Sequence, residues 1–172
     1  MSKKSGIMAL GGLLGALALA FSFLEGLLPP VPGMPPGAKL GLSNIVTMYA
    51  AGSLGLPWAL FLAVLKGGFA LLSRGVAAGL MSLSGGLTST VCMWVLLKKT
   101  GASLMLTGIG GALAHNLAQL GIACLITSPA AVGYLPFLLI FGVLTGMLTG
   151  TVLKLTLPAL EQVSKVLGQR KS

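Results

Sequence analysis

Long apolar runs separated by short breakers dominate the sequence. The first run covers residues 6–28 and stops at a segment, 29–39, in which five prolines within eight residues exclude a helix. Further runs cover 40–54, 56–73, 77–97, 103–126 and 134–157, each bounded by glycine, proline or charged residues. Because a spanning helix takes roughly 20 apolar residues, the pattern predicts an all-α integral membrane protein with six transmembrane helices, forming a single membrane domain over residues 1–172.

The two ends of the chain add one element and one alternative. Past Pro158, Glu161 and Lys165 alternate with aliphatic residues, which predicts a short interfacial helix at the C-terminus. At the N-terminus, Lys3 and Lys4, the apolar run and an Ala-Leu-Ala at 18–20 would also fit a cleavable signal peptide. Cleavage would leave five spans, but the apolar run continues beyond that site, as a retained helix would.

Composition and charge support a membrane location. Hydrophobic residues make up 55% of the 172 residues and charged residues 8%, and the mean hydropathy is +1.00, so the chain needs lipid as its solvent. The net charge of +9 comes from cations at the edges of apolar runs. Because no aromatic residues are interleaved with them, we interpret these cations as signals of membrane topology and expect no nucleic-acid partner. Eight cations fall on one predicted side: Lys3, Lys4, Lys98, Lys99, Lys154, Lys165, Arg170 and Lys171. This asymmetry predicts a multi-pass protein of the plasma membrane with both termini cytoplasmic.

Small residues repeat every four positions on two of the predicted helices. The first helix carries Gly12, Ala16 and Ala20 in this spacing, and the sixth carries glycines at 142, 146 and 150. In lipid, such rows let helix backbones approach closely. They predict either packing inside the bundle or a docking surface for a partner subunit.

Polar side chains at membrane depth are few and therefore functional candidates. Counting residues from the predicted helix ends places them in the outer half of the bundle, beneath the proline-rich loop: Glu25, Lys39, Asn44, Lys66, Arg74, His115, Asn116 and Gln119. The set predicts a substrate pocket with a lid and a charge of +2, which suits an anionic or carbonyl-rich ligand. Alternatively, Lys66 pairs with Glu25 or snorkels, and the three residues of the fifth helix only bond helix to helix.

Most enzymatic chemistry is excluded by the residues that are missing. Glu25 and Glu161 are the only acids, so no paired-carboxylate or Asp-rich magnesium site can form, and the single His has no triad acid. There is no Walker-type loop, and Cys92 and Cys124 predict two buried free thiols with no metal site. We expect no catalytic activity, no cofactor and no metal, so that any energy input comes from a partner or a gradient.

Three ordered motifs carry a resemblance to a known family. They are PGAKLGLSNI at 36–45, SLSGGL at 82–87 with Met93 following, and GGALAHNLAQ at 110–119. With them the chain resembles the Gx transporters, also labelled heptaprenyl diphosphate synthase component I, over nearly its whole length. That family is similar in turn to the substrate-binding S components of energy-coupling factor transporters, which are six-helix bundles with a lid loop after helix one.

The resemblance implies roles for named residues. Lys39, Asn44, His115, Asn116 and Gln119 become pocket candidates, and the face with Ala16 and Ala20 resembles the surface on which S components dock to a transmembrane coupling subunit with its ATPases. The first hypothesis is thus a membrane subunit for uptake of a small molecule. Open alternatives are a non-catalytic accessory subunit in isoprenoid or quinone metabolism, a subunit of quinone- or flavin-linked electron transfer, and a purely structural role.

Overall fold

The computed structural model describes residues 3–27 and 41–167, and in this part of the chain the elements are helices with no strand. Six α-helices follow one another: α1 (Lys3–Leu27), α2 (Asn44–Ser53), α3 (Leu56–Arg74), α4 (Val76–Val95), α5 (Leu104–Ile126) and α6 (Leu135–Val166). A π turn (Leu96–Thr100) extends α4, and a 3-10 helix (Pro129–Tyr134) joins α5 to α6. The prediction of an all-α membrane bundle is confirmed. The proline-rich segment, with Lys39, lies outside the described residues.

Five of the described helices are long and apolar enough to cross a membrane, and α2 is the exception. It has 10 residues, or about 15 Å at 1.5 Å per residue, against a hydrocarbon core of roughly 30 Å. It begins later than the apolar run because Gly41 has a φ of +83°, which breaks the helix before Asn44. Most of α2 is buried, so this short helix is a core element of the bundle. The sides on which the termini lie stay a prediction.

The separate interfacial helix predicted after Pro158 is wrong. Helix α6 runs for 32 residues with Pro158 inside it. Proline removes one backbone hydrogen bond, but neighbouring helices can hold such a helix together. Here the Tyr49 hydroxyl on α2 donates to the carbonyl of Leu160 at 3.3 Å, and Leu157 and Leu160 pack against the apolar core around α2. Packing therefore holds the turns after Pro158 against the bundle.

Helices α5 and α6 meet backbone to backbone through glycines. A Cβ placed on Gly146 would lie 2.7 Å from the carbonyl oxygen of Gly108, and one on Gly150 would lie 2.6 Å from Met105 Cα. Real side chains do not approach so closely, so only glycine fits. The glycine row of the sixth helix thus packs inside the bundle, which was the first of its two predicted roles.

The small residues of α1 divide between two faces. Gly11 and Gly15 face α3, where a Cβ on Gly11 would collide with the Trp58 ring. Gly12, Ala16 and Ala20 lie on the opposite, exposed face, and a Cβ on Gly12 would meet no atom within 4 Å. This face of α1 is not used for packing within the described part of the chain.

Candidate functional site

A cavity opens where the C-terminal turn of α1, the start of α2, and parts of α3, α4 and α5 converge. The space that its lining leaves free is about 10 Å³, roughly the room that one water molecule needs, so a larger ligand requires the lining to move apart. The lining residues are Ser22, Glu25, Gly41, Ser43, Lys66, Arg74, Ser82, His115 and Gln119. Charged and polar side chains thus meet inside a bundle whose outer surface is largely apolar.

Glu25 connects α1 to the start of α2. Its Oε1 accepts hydrogen bonds from the backbone N–H of Gly41 and from that of Leu42, the latter at 2.9 Å. These donors precede α2, so the carboxylate fixes the entry of the chain into that helix, as N-terminal N–H groups favour an anion. Oε2 is buried and has no hydrogen-bond partner among the described residues. The depth of Glu25 was predicted from the sequence, whereas its anchoring role was not.

Lys66 and Asn44 are joined across α3 and α2. Lys66 Nζ donates to Asn44 Oδ1 at 2.9 Å, and the two residues are only 2% and 3% exposed. At that exposure Lys66 does not snorkel to the surface of the bundle. Lys66 thus brings a cationic donor to the cavity lining, where Asn44 accepts one of its hydrogen bonds.

His115 and Gln119 lie one turn apart on α5, and both line the cavity. They fit there because the facing residue on α4 is Gly85: a Cβ at this position would lie 2.8 Å from His115 Nδ1 and 3.1 Å from Gln119 Cγ. Gly85 belongs to the SLSGGL motif, whose contribution to the site could not be assigned from the sequence. Both α5 side chains are nearly fully buried.

Asn116 lies on another face of α5 and does not line the cavity. Its Nδ2 donates to the carbonyl of Leu138 on α6 at 2.8 Å. This bond places Asn116 in the α5–α6 contact, so its geometry favours the helix-packing alternative over ligand binding.

Arg74 ends α3 at the edge of the cavity. Its Cδ lies 3.6 Å from where a Cβ on Gly26 would be, and the guanidinium is attracted electrostatically to Glu25. Arg74 Nη2 is buried without a hydrogen-bond partner among the described residues. With Lys66 and Arg74 against Glu25, the formal charge of the described lining is about +1 when all three are ionised. Lys39, the fourth charged residue of the predicted pocket, lies outside the described residues.

Several lining residues were missed by the sequence reasoning. Ser22 lies three residues before Glu25 on α1 and therefore on the same face, and Ser82 lies three residues before Gly85 on α4. Both are buried. A small polar residue three positions before Glu25 or before Gly85 shares its helix face, and this spacing is the sequence signal that could have identified Ser22 and Ser82 as lining residues. In the part of the chain that the structure describes, no three His, Cys, Asp or Glu side chains come together as metal ligands would.

A comparison with known protein families matches most of the chain. The sequence profile described as heptaprenyl diphosphate synthase component I matches residues 14–156, a stretch that includes all three sequence motifs. No curated protein and no solved structure matches the chain. The matched stretch contains every residue that lines the cavity. The chain belongs to the heptaprenyl diphosphate synthase component I family.

Proposed function

We propose that the chain is a non-catalytic, ligand-binding membrane subunit that takes up a small polar molecule through the cavity next to Glu25. The observation that carries the proposal is the burial of Lys66, at 2% exposed, beside His115 and Gln119 within helices that are otherwise apolar. A charge at membrane depth costs roughly 2.5–3.5 kcal/mol on insertion scales. A structural role alone gives no reason to bear this cost, whereas a ligand site does.

The partner in this proposal docks on the exposed face of α1. Gly12, Ala16 and Ala20 line up there without neighbours from the described chain, and small residues permit close approach by another helix. The chain lacks a Walker-type loop, so we propose a transmembrane coupling subunit with ATPases as the energy source. Replacing Ala16 and Ala20 with Leu should abolish association with that subunit and leave ligand binding unchanged. Association that survives both substitutions would refute the docking assignment.

The ligand-binding proposal is tested by native mass spectrometry of the protein extracted gently from its own membrane. We expect wild type to retain a molecule of small mass and Lys66→Met to lose it. Lys98→Met is the matched control, because Lys98 is exposed on the π turn and its removal should leave the retained molecule in place. A wild-type protein that carries no molecule besides lipid, under conditions in which it stays folded, would contradict the proposal.

A second candidate function is favoured by the family match. The family description names a component of heptaprenyl diphosphate synthase, so the chain could serve as the membrane accessory subunit of a prenyl-synthesising enzyme. With Glu25 and Glu161 as its only acids, it lacks the carboxylates that would hold magnesium and diphosphate. Co-purification with a soluble prenyl synthase, together with an empty cavity, would favour this function over uptake.

A further inference from the structure

The lysines that lie outside the cavity are gathered at one end of the bundle. Lys4 is in the first turn of α1, Lys98 and Lys99 are in the π turn that extends α4, and Lys154 is on α6. All four side chains are exposed. They belong to three different helices, and the contacts between neighbouring helices fix their relative depths.

The depth of Lys99 follows from the contact between α4 and α5. Gly85 of α4 faces Gln119 of α5, and Met93 of α4 faces Gly111 of α5. The two helices are therefore antiparallel, and eight residues along one match eight residues along the other. Because Lys99 lies six residues beyond Met93, the same spacing brings it level with the first turn of α5.

Lys154 comes to a similar depth from the side of α6. Gly150 packs against the backbone of Leu104 and Met105 at the start of α5, so Gly150 is about level with Lys99. Lys154 follows four residues later, which is about 6 Å further along the helix. The flexible four-carbon stem of a lysine can bridge that difference.

Lys4 reaches the same level through α3. Gly11 of α1 lies against the ring of Trp58 in the first turn of α3, and Lys4 is seven residues earlier, about 10 Å closer to this end. Helices α3 and α4 are in register where Gly86 lies against Ala63. Together these contacts place Lys4 near the level of the π turn.

Both tryptophans lie just inside the level of these lysines. The chain has two, Trp58 in the first turn of α3 and Trp94 in the last turn of α4, and both are half-buried. Lys99 Nζ lies 5.8 Å from the centroid of the Trp94 ring, which is within the range of a cation–π contact. Because tryptophan favours the boundary between hydrocarbon and headgroups, the lysines lie at the level of the headgroups.

Acidic side chains do not balance the charge at this end. Glu25 belongs to the cavity, so Glu161 is the one acid of the sequence that remains, whereas five exposed lysines lie here in the described chain. Clusters of roughly four to eight basic residues beside membrane helices attract anionic lipids. Helix α3 packs between α1 and α4, and α5 packs between α4 and α6, so the lysines are spread around the bundle. This spread suits many lipid headgroups better than one compact partner.

We infer that this end of the bundle binds acidic phospholipids, with Lys4, Lys98, Lys99 and Lys154 contacting their phosphate groups in one leaflet. The two tryptophans set the depth of that contact. No cavity residue takes part, so the inference goes beyond the proposed uptake function and does not depend on it.

The test is native mass spectrometry of the purified, delipidated full chain, titrated with phosphatidylglycerol or with phosphatidylcholine of identical acyl chains. We expect the anionic lipid to bind about five-fold more tightly or better, which corresponds to the attraction of at least one basic residue. Replacing Lys98, Lys99 and Lys154 together with Gln should reduce this preference to about two-fold or less. Replacing the same three with Arg is the matched control, because it keeps the charge and should keep the preference.

Thermal unfolding of both triple variants is measured first, and we expect no change because the three side chains are exposed. Equal affinity of the wild type for the two lipids would refute the inference, as would a preference that survives the Gln substitutions. Displacement of phosphatidylglycerol by inorganic phosphate would show a site for a free anion and overturn the assignment to a lipid. An acidic protein that co-purifies from the native membrane with wild type, and is lost from the Gln variant while lipid binding is unchanged, would also overturn it.

Discussion

The contact between α5 and α6 gives the most quantitative prediction. Gly146→Ala would place a Cβ 2.7 Å from both the carbonyl oxygen of Gly108 and the backbone nitrogen of Ile109. Optimal non-bonded separations between carbon atoms are about 3.5–4.0 Å, so the two helices must separate by roughly 1 Å at this point. The obstacle is backbone on both sides, which cannot rotate away as a side chain would.

The size of the effect follows from overpacking, which typically costs about 1–3 kcal/mol in a well-packed core. Alanine also gains up to about 1 kcal/mol over glycine in helix propensity, so a matched control is needed. Gly121→Ala provides it, because Gly121 lies on the exposed face of α5 with no atom within 4 Å of the added Cβ. The difference between the two variants isolates the packing cost, and we expect Gly146→Ala to be less stable by about 1–3 kcal/mol.

The assay is unfolding of the protein in detergent, followed by labelling of the two native thiols. Cys92 and Cys124 are half-buried, so both become more reactive as the bundle opens. Equal stability of Gly146→Ala and Gly121→Ala would refute the backbone contact between α5 and α6. It would also undermine the placement of His115 and Gln119, since α5 carries both.

Three further predictions use the same unfolding assay. Asn116→Ala should lower stability by about 1 kcal/mol through loss of the bond to Leu138 and leave ligand affinity unchanged; weaker binding with unchanged stability would return Asn116 to the pocket. Gly41→Ala should lower stability by about 1–2 kcal/mol, because φ is +83°, and should also reduce ligand affinity, because the new Cβ would lie 2.8 Å from Asn44 Nδ2; unchanged affinity would separate Asn44 from the site. Pro158→Ala should raise stability, by up to about 3 kcal/mol, because it restores a helix hydrogen bond, and a loss of stability would show that the proline itself is needed for packing.

Helix positions could be predicted from the sequence wherever an apolar run was long and its ends carried breakers. The predicted helix at 56–73 corresponds to Leu56–Arg74, and the one at 103–126 to Leu104–Ile126. The start of α2 and the end of α6 could not be predicted. The first depends on the positive φ of Gly41, and the second on a contact between Tyr49 and Leu160, which are 111 residues apart.

The level of the site residues along their helices could be predicted from the sequence, but the direction in which each side chain faces could not. A helix rises 1.5 Å per residue, so counting from the helix ends placed Glu25, Lys66, His115 and Gln119 at a similar level, and the structure brings them to one cavity. Which way each side chain faces depends on packing between helices. For that reason the sequence could not separate Asn116, which faces α6, from its neighbour His115.

The most direct test of the account is an experimental structure of the protein prepared with the molecule that it retains from its own membrane. We predict ligand density in the cavity, in contact with lining residues such as Lys66, His115 and Gln119. A retained molecule bound elsewhere on the bundle, with this cavity empty, would contradict it.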